Sequence, residues 1–375
     1  MPRMARHDRW LFGTTLALCL LGAVMVFSSS AVVAREQFGN PYNFLAKQLV
    51  WLFFGLGAMF WLMNFDYRQL KKPEVVFTAM SIVLMLLVAV FFLDKNHATH
   101  RWIRVGPIGI QPSELAKLAS ILYLAWFLDR RARPETQRAH FSDAPDINDV
   151  MKSLLPALAP VLLMGLLVVL QPDLGTSVAI FAVALVMLVI AGISWKYVLG
   201  AAGAAIPVIG LLILQSPYRM QRILAFANPE ADPQGRGFQM LQSLIAVGSG
   251  GLTGVGLMDS RQKLFYLPEA HTDFIYAVLC EELGFIGGMV VVALFAVFAW
   301  RGLRTAMRAP DEYGRFLAVG ITAMVVLQAL INLSVVLGMM PTKGIPLPFI
   351  SYGGSSLLVM LLATGVLLNI SQHAE

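Results

Sequence analysis

The chain has 375 residues, of which 58% are hydrophobic and 13% are charged, whereas ordinary soluble domains carry about 25% charged residues. A soluble fold of this length could not bury so much apolar surface, so the composition indicates an integral membrane protein. The net charge of +6 does not indicate a nucleic-acid-binding protein, because the basic residues lie in short loops between apolar segments.

Ten apolar segments follow one another along the chain, each close to the roughly 20 residues that a helix needs to cross a bilayer. They lie at residues 10–33, 45–64, 74–93, 112–128, 154–171, 174–193, 197–214, 274–300, 315–338 and 348–370. The first follows basic residues as in a secretory signal, but it exceeds an h-region of roughly 7–15 residues, so we expect an uncleaved helix. The pattern predicts one all-α polytopic membrane domain over residues 1–375, with about ten transmembrane helices.

The lysines and arginines predict the orientation of these helices. Most of the 28 basic residues lie at the N-terminus and in alternate loops, including Arg3, Arg6, Arg133 and Arg138. The positive-inside rule therefore places both termini in the cytoplasm and the long loop at residues 215–272 outside. That loop is the main exception to the rule, since it carries five basic residues.

Two features of the long loop have more than one reading. Four apolar residues at helical spacing, Phe238, Leu241, Leu244 and Ile245, predict a helix that could lie flat at the membrane surface or pack against the bundle. The glycine-rich stretch Gly248–Gly256 that follows could form a turn, or its backbone amides could cradle a phosphate.

Three acidic residues are candidates for chemistry. Asp273 precedes the eighth apolar segment on the outer side, where it could cap the helix or act as a general base. Burial at the rim of an apolar groove would disfavour its charged form and raise its proton affinity. Glu281 and Glu282 lie deeper, where a charge costs about 2.5–3.5 kcal/mol, so they require a polar cavity, a cation or a structural ion pair.

Basic residues on the outer side are candidates for binding an anionic substrate. Arg101 and Arg104 are not explained by the positive-inside rule, and a phosphate or headgroup partner would explain them. Lys117 shares a helix face with Glu114, so it could form an internal ion pair or meet a pyrophosphate. Lys343 lies in a Gly- and Pro-rich stretch, which predicts broken helix structure against a cavity or a packed turn.

The sequence contains no zinc signature and no phosphate-binding loop of the ATPase type. The sequence therefore identifies no cofactor with certainty. A divalent cation such as Mg2+ stays open, although no dedicated ligand set is present.

Eight short motifs occur in order along the chain. They are Arg101-Trp102-Ile103, Gln111-Pro112-Ser113-Glu114 with Lys117, Gln171–Gly175, Asn228-Pro229 with Asp232-Pro233, Gln242-Ser243, Tyr266–Phe274, Glu281–Gly284 and Ser351–Ser355. Their order, spacing and sidedness resemble those of the SEDS family (shape, elongation, division and sporulation proteins) through nearly the whole chain. Pro268–Asp273 and Pro341–Gly344 resemble the division branch more than the elongation branch, whereas His97–His100 departs from the family pattern.

The resemblance implies a peptidoglycan glycosyltransferase that polymerises lipid II, a disaccharide–pentapeptide on undecaprenyl pyrophosphate. It implies Asp273 as the essential acid, with Arg101, Glu114 and Lys117 lining the cavity. It also implies a bacterial cytoplasmic membrane protein that faces the cell exterior or periplasm and works with a class B penicillin-binding protein and other division or elongation proteins.

In the reaction that we expect, an acceptor hydroxyl attacks the anomeric carbon of the donor chain, and lipid pyrophosphate leaves. Asp273 would accept the proton, and Arg101, Arg104, Lys117 and Lys343 would stabilise the leaving group. The main alternative is a lipid II flippase, which broken helices and buried charges would suit equally well. An elongation-type polymerase and a scaffold for the transpeptidase are further alternatives.

Overall fold

The computed structural model describes residues 7–94, 101–105, 108–131 and 148–374. The divergent stretch His97–His100 and the basic residues Arg3, Arg6, Arg133 and Arg138 lie outside the described residues.

The described part of the chain forms twelve α-helices. They are α1 (Arg9–Phe38), α2 (Asn43–Met63), α3 (Pro73–Leu93), α4 (Pro112–Arg131), α5 (Leu155–Leu170), α6 (Leu174–Ile190), α7 (Trp195–Leu214), α8 (Pro217–Ala227), α9 (Phe238–Ser249), α10 (Ile275–Arg308), α11 (Glu312–Val336) and α12 (Gly354–His373). Each of the ten predicted apolar segments corresponds to one of these helices, and α8 and α9 lie in the long loop. The last helix begins six residues later than predicted, because the stretch before Gly354 is not helical.

Eight helical segments in the described ranges are long and apolar enough to cross a membrane. For α5 this segment includes the π-helical turn Val150–Leu154 that precedes it. Of the other two in the predicted spans, α6 has 17 residues, and α4 carries charged side chains at both ends. The expectation of an all-α polytopic membrane protein is confirmed, whereas the number of crossings and their direction stay predictions.

Short polar residues and prolines account for several helix starts. The side chains of Asp8, Asp173 and Asp311 each accept a hydrogen bond from a backbone amide in the first turn of α1, α6 and α11. Pro73 and Pro217 begin α3 and α8, where a missing amide hydrogen leaves no bond unmade.

Helix α11 lies at the centre of the bundle. It contacts α4, α6, α10 and α12, and most of its length is buried. Helix α7 is the opposite case, since it has no buried residue and packs chiefly against α8 in the part of the chain that the structure describes. Polar side chains on α11 can therefore reach several helices at once.

The loop between α3 and α4 contains a short hairpin that the sequence analysis did not predict. Strand β1 (Ile103–Val105) pairs with the antiparallel strand β2 (Ile108–Ile110), and Arg104 stands opposite Gly109. The side chain of Arg104 is exposed on this hairpin.

Helix α10 is broken at Gly284, where the backbone adopts a φ of 67°. The glycine-rich stretch fills the break: the amides of Val255 and Gly256 donate to the carbonyls of Glu281 and Glu282 at 3.0 and 3.1 Å. On the other side of the break, the amides of residues 285 and 286 donate to carbonyls of residues 251 and 252. The amides of Val255 and Gly256 are therefore engaged within the protein, which favours the turn for this part of the stretch. Binding of a phosphate by other amides of Gly248–Gly256 stays a prediction.

Helix α9 packs against the bundle through Met240, Ser243 and Ala246 rather than through the predicted apolar stripe. Ser243 and Ala246 are buried, and the hydroxyl of Ser243 donates to the Val336 carbonyl at 2.9 Å. Leu244 and Ile245 of the predicted stripe are 38% and 49% exposed. The small side chains of Ser243 and Ala246 let the two backbones approach, and Leu244 and Ile245 stay partly exposed.

Candidate active site

Asp273 lies in a non-helical segment that is held by three successive backbone carbonyls. In segment His271–Asp273, the first carbonyl accepts from the Tyr352 amide at 3.0 Å, and the second accepts from the Ser351 hydroxyl at 2.6 Å. The third accepts from the side-chain amide of Asn332 at 2.8 Å. The segment before α10 is thus fixed in place without the hydrogen-bond ladder of a helix.

The carboxylate of Asp273 is not used as a helix cap. The cap position of α10 is Phe274, and no side chain caps the helix there. The Asp273 carboxylate also makes no hydrogen bond with the residues that the structure describes. A Cβ atom on Gly344 would lie 3.1 Å from Asp273 Oδ2, so a glycine keeps space open beside the acid.

Burial raises the pKa of Asp273 to about 7, and the nearby charges modify this effect. The carboxylates of Glu269 and Asp173 raise the pKa further, whereas the guanidinium groups of Arg222 and Arg101 lower it. An acid with a pKa near neutrality can accept a proton and release it again, which is what a general base requires.

Arg222 on α8 is a site residue that the sequence analysis missed. Its Nη1 donates to the Thr342 carbonyl at 2.9 Å, which links α8 to the segment before α12, and its charge reaches Asp273. A signal was present in the sequence, because Arg219 and Arg222 stand three apart in an outer loop that the positive-inside rule predicts to be poor in arginine.

Lys343 follows Thr342 directly and is partly buried. It forms no hydrogen bond or ion pair with the described residues, and burial lowers the pKa of its ammonium group. Lys343 and Arg222 therefore bring positive charge to the segment that contains Gly344, and the charge of Arg222 acts on the Asp273 carboxylate.

Arg101 and Arg104 have different surroundings. The Arg101 guanidinium donates to the carbonyls of Gln171, at 3.1 Å, and Pro172. It therefore stabilises the C-terminal end of α5, where unpaired carbonyls attract a cation. Arg104 lies exposed on β1. The substrate contacts predicted for these two arginines stay predictions.

Glu114 and Lys117 form a buried ion pair, one of the two alternatives drawn from the sequence. The Lys117 Nζ lies 2.8 Å from Oε2 of Glu114, and it also donates to Gln328 Oε1 at 2.6 Å. The amide nitrogen of Gln328 donates in turn to the Pro346 carbonyl at 2.9 Å. Through Gln328, the ion pair therefore supports the segment before α12. Contact of Lys117 with a pyrophosphate stays a prediction.

Glu281 and Glu282 bind the outer loop to the bundle. Glu281 accepts hydrogen bonds from the Ser260 hydroxyl and from the backbone amide of residue 261. Glu282 forms an ion pair with Lys263 at 2.7 Å and accepts from the Ser28 hydroxyl at 2.6 Å. These contacts favour the structural alternative for both acids and do not support their predicted contact with substrate.

No cluster of three His, Cys, Asp or Glu side chains able to hold a metal ion occurs in the described ranges. The donor set near Asp273 therefore does not match a dedicated metal site, and the divalent cation stays an untested expectation.

A family model described as "Cell cycle protein", which covers FtsW, RodA and SpoVE, matches residues 9–375. The chain belongs to this family. A curated family member, stage V sporulation protein E of Bacillus subtilis (strain 168), is 45% identical over 373 residues, which cover 98% of each chain. A probable peptidoglycan glycosyltransferase FtsW of Trichlorobacter lovleyi is 41% identical over 370 residues, covering 98% of this chain and 94% of the relative.

Solved structures of the family share the fold. A chain from a structure described as "Structural coordination of polymerization and crosslinking by a peptidoglycan synthase complex" matches with a TM-score of 0.77 and 30% identity over 97% of each chain. The rod shape determining protein RodA of Thermus thermophilus matches with a TM-score of 0.69 and 27% identity over 100% of each chain. The SEDS resemblance drawn from the sequence motifs is confirmed.

Proposed function

We propose that this family member is a peptidoglycan glycosyltransferase that polymerises lipid II on the outer face of the bacterial cytoplasmic membrane, for septal wall synthesis in cell division. The observation that carries the proposal is the Asp273 carboxylate, which is free of hydrogen bonds to the described residues and has a pKa of about 7. The relatives named as peptidoglycan glycosyltransferases add support.

In the proposed reaction, the acceptor's GlcNAc 4-hydroxyl attacks the anomeric carbon of the donor chain. The new glycosidic C–O bond forms as the bond from the anomeric carbon to pyrophosphate breaks, and lipid pyrophosphate leaves with the bonding electrons. Asp273 accepts the hydroxyl proton, a step that typically contributes about 10²–10⁴-fold to the rate.

The departing pyrophosphate needs positive charge that is in place before the bond breaks. Lys343 and Arg222 suit this role, because both adjoin the segment beside Asp273. An arginine presents several N–H donors to a phosphate, while a lysine acts as a compact charge.

The orientation and the partner belong to the same proposal. The positive-inside pattern favours an active site on the outer face, and the relative solved in a peptidoglycan synthase complex favours a transpeptidase partner, which we expect to be a class B penicillin-binding protein. A flippase would need its charged groups near the bilayer midplane. Asp273, Arg222 and Lys343 instead lie in segments outside the long apolar helices.

The decisive experiment is polymerisation of purified lipid II by the purified protein, alone and with its cognate class B penicillin-binding protein, with glycan strands resolved on a gel. A ladder of strands supports the proposal. Absence of strands with both preparations, together with lipid II movement across vesicle membranes, would instead establish the flippase.

The rate of polymerisation should rise with pH through about 7 and level off above it, because a base must be deprotonated to accept a proton. In Glu269→Gln the midpoint should move to lower pH, since this carboxylate raises the pKa of Asp273. Initial rates across the pH range provide the measurement, and Glu230→Gln, an exposed acid of the same loop, is the control. An unchanged midpoint in Glu269→Gln would contradict the assignment of Asp273.

Arg222→Gln should lower kcat by roughly tenfold to 100-fold, because it removes charge that stabilises the leaving group. Arg236→Gln removes the same charge from an exposed position in the same loop and should leave kcat unchanged. Steady-state kinetics on lipid II measure both, and equal losses in the two variants would show that only the net charge of the loop matters.

A further inference from the structure

Asn332 on α11 joins the two segments that carry the candidate catalytic groups. It is 2% exposed, and its Nδ2 donates to the Asp273 carbonyl and to the Ile345 carbonyl, each at 2.8 Å. A side-chain amide carries two N–H donors, so this one nitrogen is fully used by two carbonyls. One is the backbone carbonyl of Asp273, and the other is the backbone carbonyl of Ile345, two residues after Lys343.

The side-chain oxygen of Asn332 does not join two segments in this way. Oδ1 of Asn332 is buried and has no hydrogen-bond partner among the described residues. The structural contribution of Asn332 therefore comes from its two donated bonds. Loss of those donors would leave two buried carbonyls unsatisfied and would free the Asp273 and Ile345 segments to move apart.

Gln328 makes an equivalent contact one helical turn earlier on α11. Lys117 can only donate, so the Gln328 amide must turn its oxygen toward Lys117 and its nitrogen toward the Pro346 carbonyl. Glu114 holds the lysine in place. Two side-chain amides on one face of α11 thus bind two successive carbonyls, those of Ile345 and Pro346.

We propose that Asn332 is a positioning residue of the polymerisation reaction, which holds the Asp273 segment at a fixed distance from the segment that carries Lys343 by binding the backbone of both. Gln328, oriented by the Glu114–Lys117 pair, supports the second segment. This inference rests on the proposed function, because it gives Asn332 a role through Asp273 rather than through contact with substrate.

The discriminating variant is Asn332→Asp, which keeps the shape of the side chain but replaces both donors by an acceptor. We expect kcat, normalised to the enzyme that binds lipid II, to fall by about 100-fold, as misplacement of a reacting group by about 1 Å can cause. KM for lipid II should change less than about twofold, because Asn332 does not touch substrate. Asn332→Gln keeps the donors but lengthens the side chain, which shifts the two segments, so kcat should fall by a smaller factor of about tenfold.

The matched control is Asn369→Asp on α12. Asn369 is 3% exposed and also makes two hydrogen bonds to backbone, from its Nδ2 to the Met63 carbonyl and from the Tyr67 amide to its Oδ1. The same change there should lower thermal stability without changing normalised kcat. Thermal unfolding and binding of the penicillin-binding protein are recorded for every variant.

Wild-type normalised kcat in Asn332→Asp would overturn the proposal, and so would an equal loss in Asn369→Asp, which would mark a general effect of instability. If Asn332→Asp does not fold, undiminished kcat in Asn332→Gln overturns it. Wild-type protein that makes no strands refutes the proposed function and this inference with it. Asp273→Asn that makes strands at full rate leaves the polymerase function standing but refutes the role of Asp273, and this inference with it. Active wild-type protein with an inactive Asp273→Asn and unaffected Asn332 variants refutes the inference alone.

Discussion

Asp273→Asn should lower the rate of lipid II polymerisation by about 10²–10⁴-fold, the contribution expected of a positioned general base. Asparagine keeps the size of the side chain and cannot accept the hydroxyl proton. The backbone of residue 273 is held through its carbonyl by Asn332, so the segment should keep its place. The measurement is the initial rate of strand formation, with lipid II binding recorded in parallel.

Asp259→Asn is the matched control for this prediction. Asp259 is exposed in the same outer loop and undergoes the same chemical change, so its variant should polymerise at the wild-type rate. Retention of full activity in Asp273→Asn would show that this acid has no role in proton transfer. The search would then move to other buried acids, beginning with Glu114 and Glu281.

The second large effect concerns folding: Gly254→Ala should destabilise the protein by about 4 kcal/mol, the range of exceptional single substitutions. The Cβ would lie 2.0 Å from the Glu282 carbonyl oxygen, and the φ of +85° is strained for any residue with a side chain. The Glu282 carbonyl is one of the acceptors in the backbone contact that fills the break in α10, so the clash falls within that contact. The backbone pairing of residues 251–256 with residues 281–286 should therefore be lost.

Two other glycines separate the causes of this effect. Gly251 has a φ of +53° but open space where a Cβ would stand, so Gly251→Ala should cost only about 1 kcal/mol of conformational strain. Gly203 on α7 has open space and an ordinary helical backbone, so alanine there should have little effect. Thermal unfolding in detergent ranks the three variants, and equal stability of Gly254→Ala and Gly251→Ala would contradict the packing argument.

The membrane segments could be predicted from the sequence because hydrophobicity along a helix is a local property. A bilayer requires roughly 20 apolar residues for each crossing, and the ten segments found on this basis correspond to α1–α7 and α10–α12. Asp273 could be singled out for a similar reason, since an acid at the edge of an apolar segment is visible without knowledge of its neighbours. The break at Gly284 was missed, because a glycine within a predicted span does not reveal which loop will pair with it.

Hypotheses that depended on contacts between residues far apart in the chain could not be decided from the sequence. The stripe at Leu244 and Ile245 indicated a packing face, but the residues of α9 that are buried against the bundle are Met240, Ser243 and Ala246. Arg222 was treated as an exception to a topology rule. Its relation to Asp273 depends on the contact with Thr342, which lies 120 residues further along the chain.

The sequence by itself determined that this chain is a polytopic α-helical membrane protein, because the apolar side chains of each segment indicate that lipid surrounds it. It also determined the family, because the motifs are short runs of neighbouring residues that can be recognised without the fold. Only the tertiary structure decided what the buried polar groups do. Glu281 and Glu282 bind the outer loop, Lys117 binds Glu114 and Gln328, and Asn332 binds the segments on both sides of the candidate site. In an apolar bundle a buried donor or charge is costly without a partner, and the partner of each of these groups is set by helix packing between residues far apart in the chain.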